Sequence, residues 1–195
     1  MSTGFLIRPN VILTAAHNVY SPILSVVKKI VLTPGRYRNS SAHSPIVING
    51  KALCQSAIRV HPSYTFTDGQ RIRYDFAIII IPDSIIKSSP DWPKETSFEI
   101  LPDVILEKGN QVTVAGYPAS NGYDGSLMTT QSQIIELVND LSFDHQLETE
   151  TGNSGSPIWI EKDGKILVVG VHTFDGAGTK LTREYIEMIL KWIKP

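Results

Sequence analysis

The chain has 195 residues, 42% of them hydrophobic, and its 18 Lys and Arg against 19 Asp and Glu leave a net charge of -1. That apolar content suffices for a sizeable core and excludes a disordered or fibrous protein. No block of Lys and Arg could neutralise a run of phosphates, so nucleic acid is not an expected partner, and the longest apolar run, Phe76 to Ile81, is strand-sized, so no membrane span is expected.

The first residues, Met1 to Ile7, lack a basic leader followed by a long apolar region, and no secretory signal is visible in them. Cys54 is the only cysteine, which removes an internal disulfide framework and is by itself no zinc site. We expect a small buried hydrophobe there, and neither a metal nor a cofactor elsewhere.

In chain order, short apolar runs rich in β-branched residues alternate with Gly, Pro, Asn and Ser clusters, which predicts strands and turns. The first set of strands is Gly4 to Ile7, Val11 to Ala15, Lys29 to Thr33, Ile46 to Cys54, Ala57 to His61 and Phe76 to Ile81. Arg36 to His43 and Thr65 to Arg73 read as polar surface loops. Pro82 to Asp103 carries four prolines and suits a connection rather than a continuous helix or a central strand. A second set follows at Gln111 to Gly116, Met128 to Leu137, Phe143 to Thr149, Ser156 to Glu161 and Ile166 to His172. Near the end, Tyr185, Ile186, Ile189, Leu190 and Ile193 recur at helical spacing with Thr182 placed as a cap, predicting an amphipathic helix over 182–193.

Three segments carry chemistry. Thr151-Gly152-Asn153-Ser154-Gly155-Ser156-Pro157 sets a serine among small turn residues before an apolar strand, where a hydroxyl can meet both a substrate and a base. The backbone N–H groups of Gly152 and Ser154 are candidates for an oxyanion hole. Leu13-Thr14-Ala15-Ala16-His17 ends a β-type run in a histidine, the side chain that titrates near neutrality without extreme tuning. Asp75 stands directly before the apolar run Phe76 to Ile81, where an acid is desolvated and fixed well enough to orient an imidazole. Singly, each has an ordinary structural reading: a tight loop, a strand-end histidine, a turn acid.

Together, in the order His, Asp, Ser, these segments resemble the signature motifs of chymotrypsin-like serine proteases, the family whose chemistry supplies the general description of the triad. An esterase built on a nucleophile elbow would run Ser, acid, His. Gln111-Val112-Thr113-Val114-Ala115-Gly116-Tyr117-Pro118, the Asn-Ser-Gly-Ser-Pro loop and Gly170-Val171-His172 are similar to the bacterial, staphylococcal V8-like glutamyl endopeptidase branch, as are the near absence of cysteine and the short interval from 75 to 154.

The resemblance implies an all-β fold of two packed antiparallel Greek-key β-barrels followed by a C-terminal α-helix. Expected boundaries are 1–95 for the first barrel with the start of the linker, 96–181 for the second, and 182–195 for the helix. It also implies a protein or peptide substrate, a catalytic triad of His17, Asp75 and Ser154, and secretion.

Thr149 and His172 match the residues that read an acidic P1 side chain in that branch; the alternative for His172 is a core-facing residue bonded to backbone. Glu148 lies where trypsin-like enzymes carry the acid that selects Lys or Arg, and it favours a basic P1 if it points into the pocket. Family members begin with a further strand upstream of Thr3 to Ile7. The first barrel is therefore expected to lack its opening strand, with a partner or an upstream segment covering the exposed edge, and an inactive binding or regulatory module is the competing expectation.

Overall fold

The structure, a computed structural model, describes all residues except 65–70, 97, 103, 105, 120–125, 175 and 195, and the side chains at 133, 135, 138 and 139. It is mostly β, in two halves. In the first, Gly4–Arg8, Val11–Thr14, Ala77–Ile80 and Ile58–Val60 form an antiparallel sheet in that order, and Lys29–Leu32 pairs separately with Ile46–Asn49. Val11, Leu13, Ala77 and Ile78 are almost wholly buried because this sheet is covered on both faces.

The second half closes on itself. Its strands run Phe98–Glu99, Lys165–Phe174, Pro157–Lys162, Gln111–Gly116, Met128–Asn139, Ser142–His145, Ala177–Lys180, and Ala177–Lys180 pairs back onto Lys165–Phe174. Closure leaves six of these strands without a free edge. One pairing departs from the antiparallel expectation: Phe98–Glu99 runs parallel to Ile166–Leu167.

Three apolar clusters hold the molecule together. One fills the first half around Ile12, Ile30, Ile48 and Ile79, and a second fills the closed half around Val112, Phe143 and Ile158. The third joins the halves: Phe5, Leu13, Phe76 and Ile78 meet Trp159, Val171 and the buried face of the C-terminal helix, Tyr185, Ile186 and Ile189. Each fully buried side chain of this size contributes about 1.5–3 kcal/mol. The helix spans Arg183–Trp192, and the Thr182 hydroxyl accepts from the Tyr185 N–H at 3.3 Å, as the sequence predicts.

Two predicted elements are corrected. The run Ile46 to Cys54 is not one strand: Gly50, at φ +100, turns the chain, and Lys51–Ala57 is helical, since this stretch is free of β-branched residues and its Cys54 and Ala57 face the core. Arg36 to His43 contains a short ladder, Arg36–Tyr37 with Ser40–Ser41. In the other predicted loop, residues 65–70 lie outside the described residues, and Arg71–Tyr74 forms a 3-10 turn. The short strand Ala177–Lys180, missed in the sequence, is the one that closes the second half.

Among the described residues, nothing pairs with the outer edge of Gly4–Arg8. A cavity of about 430 Å³ lies at that edge between Thr3 to Leu6 and Val31 to Thr33, and another of about 400 Å³ between Thr3, Gly4 and Val31 to Thr33.

Candidate active site

His17 sits on a 3-10 turn, Ala16–Asn18, that ends the strand Val11–Thr14. Asp75 precedes Ala77–Ile80, the neighbouring strand, in which Ala77 lies opposite Thr14. Adjacent strands thus bring together two residues 58 positions apart. The Asp75 carboxylate is fully buried and accepts twice from one residue, from the His17 backbone N–H at 3.0 Å and from ring Nδ1 at 2.7 Å. An ionised carboxylate has no proton to give, so Nδ1 carries the hydrogen and Nε2 is left as a base. The imidazole is 21% exposed, open enough to meet a substrate.

Ser154 lies on a loop from the other half, bonded to Asn18, the residue after His17. The Ser154 carbonyl accepts from the Thr3 N–H at 3.0 Å and from Asn18 Nδ2 at 2.8 Å, and the Thr3 hydroxyl donates to the Gly152 carbonyl at 2.8 Å. Thr14 completes the tie, its hydroxyl donating to the Thr3 carbonyl at 2.7 Å and accepting from Asn18 Nδ2 at 3.0 Å. On its far side the loop is held by Lys165–Phe174: the Gly155 N–H donates to the His172 carbonyl at 2.8 Å, and the His172 N–H donates to the Ser156 carbonyl at 2.9 Å. The Ser154 hydroxyl donates to the Thr173 carbonyl at 3.1 Å.

Two glycines make this path sterically open. Gly152 has φ +102, and a Cβ there would lie 2.7 Å from the Tyr117 carbonyl. Gly155 has φ +91, and a Cβ would stand 2.2 Å from the Thr3 carbonyl and 2.3 Å from Thr14 Oγ1. Gly155→Ala is therefore expected to cost about 3 kcal/mol, roughly 9 °C in Tm, because it strains the backbone and displaces the Thr3 tie; a thermal melt beside the parent checks this. Among the described residues, the N–H groups of Gly152 and Ser154 have no internal acceptor, which leaves both available to an oxyanion.

His172 is buried on Lys165–Phe174, and behind it lies a histidine overlooked in the sequence, His145, with His172 Nδ1 and His145 Nε2 3.3 Å apart. The Leu147 N–H donates to His145 Nδ1 at 3.2 Å, so Nδ1 is an acceptor and the proton of neutral His145 is on Nε2. Nε2–H then donates to His172 Nδ1, which puts the His172 proton on its own Nε2. Burial lowers the pKa of His145 to about 4, opposed by the Ala177 carbonyl. Burial, then the His145 and His17 charges, lower that of His172 to about 3. Both rings are neutral at pH 7.

Thr149 is half-buried and, among the described residues, makes no hydrogen bond with His172; Glu148 is exposed. The signal for His145 was its alternation with Phe143 and Leu147, all three buried. For Thr3 and Asn18 there was none, because their partners Gly152 and Ser154 are remote in sequence.

Two packed β-halves, one a closed barrel, with the histidine and acid on the first and the serine loop on the second, form the chymotrypsin-like fold. The chain belongs to the trypsin-like peptidase domain family, whose sequence profile matches residues 2–171.

It is 24% identical over 195 residues to a protein of Bacillus subtilis (strain 168) described as an extracellular metalloprotease, covering 97% of this chain and 57% of that protein. The chain thus spans little more than half the length of that relative. Among solved structures, a Glu endopeptidase in complex with MPD superposes with a TM-score of 0.72 at 24% identity, covering 97% of this chain and 84% of the other. A scabies mite inactivated protease paralogue superposes with a TM-score of 0.67 at 17% identity, covering 98% and 87%. At these identities the two structures establish the fold. Among the described residues, no group of three or more His, Cys, Asp and Glu side chains is arranged to hold a metal ion.

Proposed function

We propose that this chain is a serine endopeptidase that hydrolyses peptide bonds through an acyl-enzyme and prefers an acidic P1 residue. The observation that carries the reading is the doubly bonded Asp75–His17 pair facing a serine loop tied to the same strand. In this reading Ser154 Oγ leaves the Thr173 carbonyl, its acceptor in the structure, and turns to His17 Nε2. Oγ then attacks the scissile carbonyl as its proton passes to Nε2, and the N–H groups of Gly152 and Ser154 receive the oxyanion. The C–N bond breaks as the amine takes that proton, and water, deprotonated by His17, hydrolyses the ester and frees Ser154.

The acidic preference draws on the chain of tautomers. With Leu147 N–H fixing His145 and His145 fixing His172, Nε2–H of His172 is a donor for a carboxylate, and Thr149 adds a hydroxyl. Exposure of Glu148 speaks against a basic P1.

The test is a set of reporter peptides with Glu, Asp, Lys, Arg, Phe or Leu at P1, assayed on the parent, Ser154→Ala and His172→Ala. We expect Glu to be the best substrate, Ser154→Ala to lose about 10⁶-fold, and His172→Ala to lose roughly 10- to 100-fold on Glu but little on Leu. Preference for Lys or Arg sinks the acidic reading. Absence of both turnover and fluorophosphonate labelling sinks the enzyme reading in favour of an inactive module, for which the bond from Ser154 Oγ to the Thr173 carbonyl is the supporting observation.

A further inference from the structure

The charge of this chain is unevenly divided. Residues 1–67 contain seven Lys and Arg and no Asp or Glu, whereas 68–195 contain eleven Lys and Arg against nineteen Asp and Glu. Folding gathers part of the excess. The Gly50 N–H donates to the Lys28 carbonyl at 2.9 Å and Lys29 lies opposite Asn49, which puts Lys51, the residue after Gly50, beside Lys28 and Lys29. All three lysines are exposed, and among the described residues none has an ion-pair partner. Four residues before Lys28 the chain makes an apolar projection. Tyr20–Ser21 and Ser25–Val26 form a short hairpin with Ile23 and Leu24 at its tip, 88% and 77% exposed, more than any other large apolar side chain among the described residues. The hairpin is held at its base, where the Val27 N–H donates to the Val19 carbonyl at 3.0 Å and the helix Lys51–Ala57 packs against Ser25–Val26. At the tip, the N–H groups of Ile23 and Leu24 both donate to the Ser21 hydroxyl, at 3.3 and 3.4 Å.

We propose that this hairpin anchors the protein to an anionic phospholipid bilayer, with Ile23 and Leu24 at the boundary of headgroups and acyl chains and Lys28, Lys29 and Lys51 on the headgroups. Two large aliphatic side chains on a convex tip leave water only for a medium that closes round them, and an acyl layer does so without a preformed pocket. Because the Ser21 hydroxyl already accepts from both tip N–H groups, insertion does not strand them. The lysines supply the second signal that a small apolar anchor requires. With no acid in residues 1–67, nothing in that segment offsets their attraction to anionic headgroups. A soluble polyanion, the other ligand for such lysines, has no use for the aliphatic tip. The hairpin begins three residues after His17, so docking sets the candidate cleft beside the bilayer, whether or not Ser154 turns substrate over.

The test is co-sedimentation of the protein with vesicles of phosphatidylcholine alone or with about 30% phosphatidylserine added, and its readout is the ratio of the two affinities. We expect the parent to favour the anionic vesicles roughly hundredfold at low salt, about fivefold from each of the three lysines, and far less in 0.5 M NaCl. Exchanging Lys28, Lys29 and Lys51 together for Ala should bring the ratio close to one. Ile23→Ser with Leu24→Ser should weaken binding to the anionic vesicles roughly tenfold or more. Insertion is read separately: tryptophan emission of Leu24→Trp should shift to the blue on anionic vesicles and stay in place on phosphatidylcholine alone.

Equal affinity of the parent for both kinds of vesicle, or a full ratio kept after the three lysine exchanges, overturns the inference. So does anionic binding undiminished by Ile23→Ser with Leu24→Ser, or a Leu24→Trp emission that anionic vesicles leave unmoved. The lysines then serve a soluble polyanion, and retention on heparin that the two serine exchanges do not alter would identify that case. Ile23→Leu with Leu24→Ile separates loss of the anchor from loss of the fold, because it keeps the apolar tip and should bind as the parent does; a loss as large as that of the serine exchanges also overturns the inference.

Discussion

Asp75→Asn is expected to fold as the parent does and to lose about 10⁴-fold in kcat, the loss that this exchange causes in a Ser-His-Asp triad. The volume is unchanged, and the amide oxygen can keep the bond from the His17 backbone N–H, so the turn holds. What changes is the partner of Nδ1. An amide N–H facing Nδ1 needs a lone pair there, which moves the imidazole proton to Nε2, and Nε2–H cannot take the Ser154 proton. The positive charge that His17 gains during attack also loses its buried counter-ion. Steady-state kinetics beside a thermal melt test this; a kcat within tenfold of the parent would mean that the acid at 75 does not orient His17.

Acidification is expected to unfold this protein earlier than its carboxylates alone would. His61, His145 and His172 are buried, and burial lowers the pKa of each. Glu184 opposes the shift at His61, whose ring stacks on Tyr74 with centroids 4.7 Å apart. Above the unfolded value of about 6.5 all three are neutral in both states and contribute no pH dependence. Below it the unfolded chain takes up protons that the folded chain refuses, so stability falls from about pH 6.5 towards the folded values of about 4 and about 3.

For His145 alone the loss by pH 4 is on the order of 3 kcal/mol, a large share of the ~5–15 kcal/mol that hold a typical domain together. Urea midpoints measured from pH 8 to pH 4 should trace this fall. His145→Gln, which keeps an acceptor for the Leu147 N–H and a donor towards His172 but does not titrate, should flatten part of it. An acid limb unchanged in that variant would show that His145 is not among the groups responsible.

Much of the architecture is legible in local pattern. Gln111–Gly116 falls on its predicted residues because alternation and β-branching agree there, and Arg183–Trp192 lies within one residue of its predicted ends because Thr182 caps a helical repeat. Ile46 to Cys54 misleads because a strand and a short helix adjoin there with only Gly50 between them. The strand Ala177–Lys180, small and polar, carries no strand signal of its own and forms because Lys165–Phe174 and Ser142–His145 offer it two partners.

By itself the sequence determined the β-class of the chain, the amphipathic helix at its end, and the positions of a histidine, an acid and a serine in settings suited to hydrolysis. These are short-range properties, written in alternation, capping and the small residues around each side chain. Only the tertiary structure decided that His17 and Asp75 share two hydrogen bonds, that Thr3 and Asn18 hold the serine loop, and that His145 lies within hydrogen-bond distance of His172. Each of these pairs distant parts of the chain. The packing of the two halves selects the contact, and no periodicity in the sequence records it.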